Sequence, residues 1–173
     1  MEQKVSVWKA SLMYGAILGV VGVIYSLLGF YTDLDINGNI YSVFQIALLI
    51  FLLKLYRDNY CFGNITYKQS VIAGVIIYLY YTVFIVIFKY LLFEVIDTGL
   101  IDKEVALYEQ SLIEEGRPQE TIDSFLVFHR EHLEPSIRNS ILSTLATMIL
   151  GTIVSLVVSF FIKKEYVPNN QQI

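Results

Sequence analysis

The strongest constraint on this chain is a set of four apolar runs, residues 10–31, 40–56, 70–93 and 137–162, none with more than one charged side chain. A helix rises about 1.5 Å per residue and a bilayer's hydrocarbon core is about 30 Å thick, so about 20 apolar residues cross it. Composition agrees, with 55% of residues hydrophobic and only 16% charged, against about 25% charged in soluble domains. The run 40–56 is the shortest and contains Gln45; turn-like "YTDLDINGN" before it and charged "KLYRDNYCFGN" after it mark its ends. The first run is too long for the apolar region of a signal peptide and no small-residue cleavage pattern follows Phe30, so it is expected to be retained. The expected fold is all-α, an integral membrane four-helix bundle forming one domain over residues 1–173.

Basic residues mark the side of a membrane that is not translocated. Lys4 and Lys9 precede the first span, Lys54, Arg57 and Lys68 lie between the second and third, and Lys163 and Lys164 follow the fourth. The connection between the first two spans has Asp33 and Asp35 and no basic residue. Four crossings place both termini in the cytoplasm and residues 94–136 outside it.

That outer segment predicts a helical hairpin. Ile101, Val105, Tyr108 and Leu112 recur at steps of four, three and four, with Gly116 placed to end the helix. Pro118 starts a second helix, with Ile122, Phe125, Leu126 and Leu133 on one side and Pro135 beyond its end. The stripes are expected to pack on each other or along the membrane surface. Residues 94–138 hold eleven acidic and four basic side chains, read as solvated faces. With no basic patch interleaved with aromatics, nucleic acid is not an expected partner.

Small residues notch the first span. Ser11, Gly15, Gly19, Gly22, Ser26 and Gly29 advance by four, four, three, four and three, which puts all six within about 80° of one helix face. Hydrocarbon provides no hydrophobic force between helices, so association rests on close van der Waals contact and interhelical hydrogen bonds, both of which small residues permit. The fourth span repeats the pattern with Ser140, Thr144, Thr147, Gly151, Ser155 and Ser159, whose hydroxyls are expected to bond their own helix's carbonyls or a neighbour. The two notched spans are expected to pack together, within one bundle or as a homo-oligomer seam.

Reactive chemistry is sparse. Tyr78, Tyr80 and Tyr81 lie in the third span, where a buried phenol needs a partner and Gln45 is the candidate. Lys89, near that span's end, is expected to snorkel to the headgroups. His129 and His132 share a helical face, but two imidazoles fall short of the three or four ligands of a zinc site. The single cysteine, Cys61, has no partner for an intramolecular disulfide. No nucleophile elbow, phosphate loop or dinucleotide fingerprint is present. The expected site assignment therefore contains no catalytic, cofactor or metal residues, only packing residues.

"YGAILGVVGVIYSLL", "KLYRDNYCFGNITYKQSVIAGVII", the acidic hairpin and "LGTIVSLVVSFFIKKE" together resemble domain of unknown function family 4199, small bacterial membrane proteins. The most characteristic stretch runs from Tyr56 to Gly74, with a glycine turn at Gly63. The resemblance covers nearly the whole chain and implies a four-span bacterial integral membrane protein; it carries no activity with it, and the expected location is the bacterial cytoplasmic membrane. The functional expectation is a non-enzymatic scaffold or accessory subunit contacting an envelope partner, and the alternative is a small oligomeric transporter or channel.

Overall fold

The computed structural model of the chain describes residues 6–32 and 38–164. Helices α1 (Val7–Tyr31), α2 (Gly38–Tyr60) and α3 (Tyr67–Leu91) lead into a π-helical turn, Leu92–Ile96. Then come α4 (Leu100–Glu114), α5 (Gln119–Leu133) and α6 (Ile137–Ile162). Among these, α1, α2, α3 and α6 are long and apolar enough to cross a membrane, and a helix is the form in which such a segment satisfies its own backbone in hydrocarbon. The architecture is a helical bundle with a hairpin at one end. Lys4, Asp33 and Asp35, which enter the sidedness expectation, lie outside the described residues.

Helix α2 runs four residues past the expected boundary at Tyr56, because the charges that end an apolar run do not end a helix. It stops where Phe62 and Gly63 take positive φ, 51° and 77°, the left-handed conformation that terminates a helix at little cost only at glycine. Thr66 then caps α3 in a reciprocal box: its hydroxyl accepts from the Gln69 amide, and the Gln69 side chain accepts from the Thr66 amide. This box starts α3 three residues before the expected Ser70. A two-way bridge holds the exit of α6 to this turn, Ile65 N donating to Lys164 O at 2.8 Å and Lys164 N to Ile65 O at 2.9 Å. These contacts define the loop end of the bundle.

Helix α3 is the hub. Both α1 and α6 lay their principal seam on it, and α2 packs more lightly against all three. The expected α1–α6 pairing is not among the principal seams of the described residues; each notched face meets α3 instead. The core nearest the loop end is built from Tyr14, Leu18, Leu49, Leu52, Leu53, Ile77, Val158 and Ile162, all essentially inaccessible. A smaller cluster of Leu92, Phe93 and Leu100, with Phe30 and Leu133 against it, seats the hairpin on the other end.

The hairpin helices pack on each other. Gly116, at φ 70°, carries the chain between them. Its amide donates to Ile113 O, and the Arg117 amide donates to Leu112 O at 3.1 Å, the paired bonds of a Schellman ending. Leu112 and Ile122 are buried across the hairpin, whereas Phe125, expected on the inner stripe, is 40% exposed. Asp97 ties this end to α1, accepting from the Tyr31 hydroxyl at 3.2 Å and from Lys103 at 3.3 Å.

Candidate functional site

The packing residues divide by what stands opposite them. A Cβ built at Gly15 would collide with the Tyr80 Cβ and come within 2.9 Å of the Ile77 carbonyl oxygen. One at Gly19 would lie 2.8 Å from the Phe84 Cβ, and one at Gly22 would lie 2.8 Å from Ile85 and Tyr81 side-chain atoms. On α6 the Gly151 position abuts the Tyr78 ring at 2.5 Å. These glycines are holes, and the aromatic side chains of α3 fill them. Gly29 has nothing within 4 Å, so it takes no part in a seam. Ser26, Thr144 and Thr147 are half-buried, and Thr144 borders an apolar groove beside Ile87 and Tyr90.

Gly74 is a site residue that small-residue spacing on α1 and α6 did not single out. A Cβ there would lie 2.5 Å from Ser155 Oγ. Its signal was present in the sequence as Ser70, Ala73 and Gly74, all buried at the start of α3. Hydroxyl bonding to the helix's own carbonyls is found on α6, but not at Ser155 and Ser159. Thr152 Oγ1 donates to Met148 O at 2.7 Å and Ser143 Oγ to Ser140 O at 3.1 Å. Ser11, Ser70, Ser155 and Ser159 are buried without a hydrogen-bond partner among the described residues. Close approach, rather than hydroxyl bonding, accounts for Ser155 at its seam.

The third-span tyrosines form an aromatic system with α1 and α2. Tyr78 is buried and meets Tyr81 edge-on with centroids 6.0 Å apart. Tyr25 stacks on Tyr41 at 3.7 Å. Gln45 is half-buried on α2 and has no hydrogen bond to these tyrosines among the described residues.

On the hairpin, His129 stacks on Tyr108 at 4.3 Å and His132 on Phe128 at 6.4 Å. Burial, with the charge of His132 second, holds His129 below its ordinary imidazole value. Burial pushes the Glu104 carboxyl up, and it likewise pushes up the Cys61 thiol at the loop end. Among the described residues no group of three or more His, Cys, Asp or Glu side chains converges. The arrangement positions helices closely and displays a hairpin.

Neither the curated proteins nor the solved structures contain a match to this chain. Residues 13–164 match the family described as "Protein of unknown function (DUF4199)", a match over most of the sequence, and the chain belongs to that family.

Proposed function

We propose that this four-span protein is a non-enzymatic scaffold or accessory subunit of a bacterial cytoplasmic membrane. Both termini face the cytoplasm, and the α4–α5 hairpin reaches a partner in the envelope. The observation that carries this reading is the surface of α5, where Phe125 and Phe128, three residues apart on one face, are 40% and 70% exposed and Val127, beside Phe128, is 61% exposed, on a hairpin outside the apolar spans. Large apolar side chains grouped on a polar element are characteristic of a contact surface. The acidic excess of residues 94–138 disfavours an anionic lipid surface as what covers them and favours a protein with a basic rim, where charge complementarity selects the partner.

A photoreactive amino acid at Phe128, activated in native membranes, tests the reading. It is expected to trap one protein, either a second copy or another membrane subunit, and Val127→Ser is expected to reduce the adduct. A Phe128 probe that yields only lipid adducts contradicts the reading, as does a yield indifferent to Val127→Ser.

A further inference from the structure

Helices α3 and α6 touch at the loop end through Gly74 with Ser155 and Tyr78 with Gly151, but they part toward the hairpin. There a cavity of about 270 Å³ opens between them, under the last turn of α5. Lys89 lines it from α3, His132 and Glu134 from the end of α5, and Asn139 and Ser143 from α6, over a floor that includes Val86 and Leu142. Pockets for whole drug-sized ligands run about 300–1,000 Å³, so this one suits a headgroup.

Two opposite charges line one cavity without neutralising each other. The ion pairs among the described residues are Arg57–Asp58, Lys103–Asp97, Arg117–Glu115 and Arg130–Asp102, and neither Lys89 nor Glu134 belongs to any of them. A half-buried ammonium at the edge of a span is costly unless an anion reaches it. The neighbouring polar groups are biased toward accepting. The Asn139 amide nitrogen donates to Glu134 O at 3.0 Å and also to Glu131 O, and the Ser143 hydroxyl donates to Ser140 O at 3.1 Å. Their oxygens remain as acceptors in a lining that also includes Glu134. One wall thus suits an anion and the other an N–H cation.

Depth decides the kind of ligand. Lys89 is two residues from the end of α3, and Ser136 caps the start of α6. Both lie toward the hairpin-side ends of two apolar spans, so the cavity sits where the spans give way to the hairpin. Below the cavity Leu142 and Ile149, seven residues apart on one face of α6, are 54% and 62% exposed, an apolar track suited to an acyl chain.

We propose that this cavity binds an aminophospholipid of the ethanolamine type, with Lys89 on the phosphodiester and Glu134, Asn139 and Ser143 receiving the primary ammonium. A glycerol headgroup supplies the phosphate without the cation. A choline headgroup supplies a cation with no N–H to donate.

Native mass spectrometry of the full chain in mild detergent, titrated with dioleoyl phosphatidylethanolamine, phosphatidylglycerol and phosphatidylcholine, tests this. Wild type is expected to prefer the ethanolamine lipid by about tenfold, the scale of charge-assisted hydrogen bonds at a partly desolvated site. Lys89→Gln is expected to weaken ethanolamine and glycerol lipids alike, and Lys89→Arg to retain both. Glu134→Gln is expected to bring the ethanolamine lipid down to the level of the glycerol lipid and leave the latter unchanged. Melting in lipid-free detergent verifies that each variant is folded. Equal binding of the three lipids by wild type overturns the proposal, as does an ethanolamine preference that survives Glu134→Gln.

Discussion

Gly15→Ala adds one methyl group where the α1–α3 seam has no room. The new Cβ would meet the Tyr80 Cβ and the Ile77 carbonyl oxygen, the latter at 2.9 Å. Neither neighbour is the far end of a flexible side chain, so the helices must separate. That separation also loosens the contact of Gly19 with Phe84. Overpacking of this kind costs about 1–3 kcal/mol, while replacing glycine by alanine favours the helix by about 1 kcal/mol. A net destabilisation of about 1 kcal/mol is expected for Gly15→Ala. Gly29→Ala on the same helix meets nothing within 4 Å, so only the helix-propensity gain of up to about 1 kcal/mol applies. The two variants should differ by about 2 kcal/mol. Unfolding in mixed micelles of rising dodecyl sulfate fraction measures the difference. Trp8 is a suitable reporter, since it is the single tryptophan and sits edge-on to Tyr80 with centroids 6.5 Å apart. Equal midpoints for Gly15→Ala and Gly29→Ala would refute the reasoning, because the added methyl would then have met no neighbour.

The second seam is open to a compensation test. Gly74→Ala is expected to destabilise the fold through Ser155, and Ser155→Gly in the same chain to recover most of the loss; the same unfolding assay should show a coupling of about 0.5–3 kcal/mol. In the hairpin, the lowered pKa of His129 means that the unfolded chain binds the proton more readily. Its contribution is therefore complete above the ordinary value of 6.5 and declines as pH falls through that value toward the folded pKa. His129→Phe keeps a ring on Tyr108 and is expected to remove this slope in melting curves recorded between about pH 5 and 8. Glu104 contributes with the opposite sign, in a window rising from its ordinary 4.5, and the wild-type minus variant difference cancels it. Arg130→Ala breaks a 2.6 Å ion pair with Asp102 whose side chains are 46% and 69% exposed. An exposed pair contributes about 0–1 kcal/mol, so a small loss of hairpin stability that shrinks further in high salt is expected on melting.

The four spans and the hairpin were legible because their signals are local: run length, a glycine at the αL position of Gly116, and an apolar stripe ending in Leu112. The helix partners were not. A row of small residues states that something approaches closely without stating what, and matching the two notched faces to each other was the natural expectation. Packing density argues otherwise. A hole filled by another hole leaves a void, whereas Gly15, Gly19 and Gly151 each receive an aromatic residue from α3, namely Tyr80, Phe84 and Tyr78. The relevant sequence signal was the aromatic spacing of the third span, which taken alone reads as a need for hydrogen-bond partners. Gly29 continues the periodicity of α1 but lies beyond the seam, a limit that only the relative tilt and length of two helices determines. Lys89 and Glu134 are far apart in sequence, so their common cavity depends on α5 folding back over the start of α6, and no local pattern encodes that.

The central claim is that α3 receives α1 and α6 on separate seams. Paired cysteines test it directly in a chain whose Cys61 is replaced by serine. Cβ positions built at Gly19 and Gly151 lie 2.8 Å from the Cβ atoms of Phe84 and Tyr78 respectively, so a small outward shift reaches the about 3.5–4.5 Å of a disulfide. Oxidation in membranes is predicted to crosslink Gly19→Cys with Phe84→Cys and Gly151→Cys with Tyr78→Cys, and to leave Gly19→Cys with Gly151→Cys reduced. Rapid crosslinking of the Gly19–Gly151 pair while the other two stay open would contradict the account.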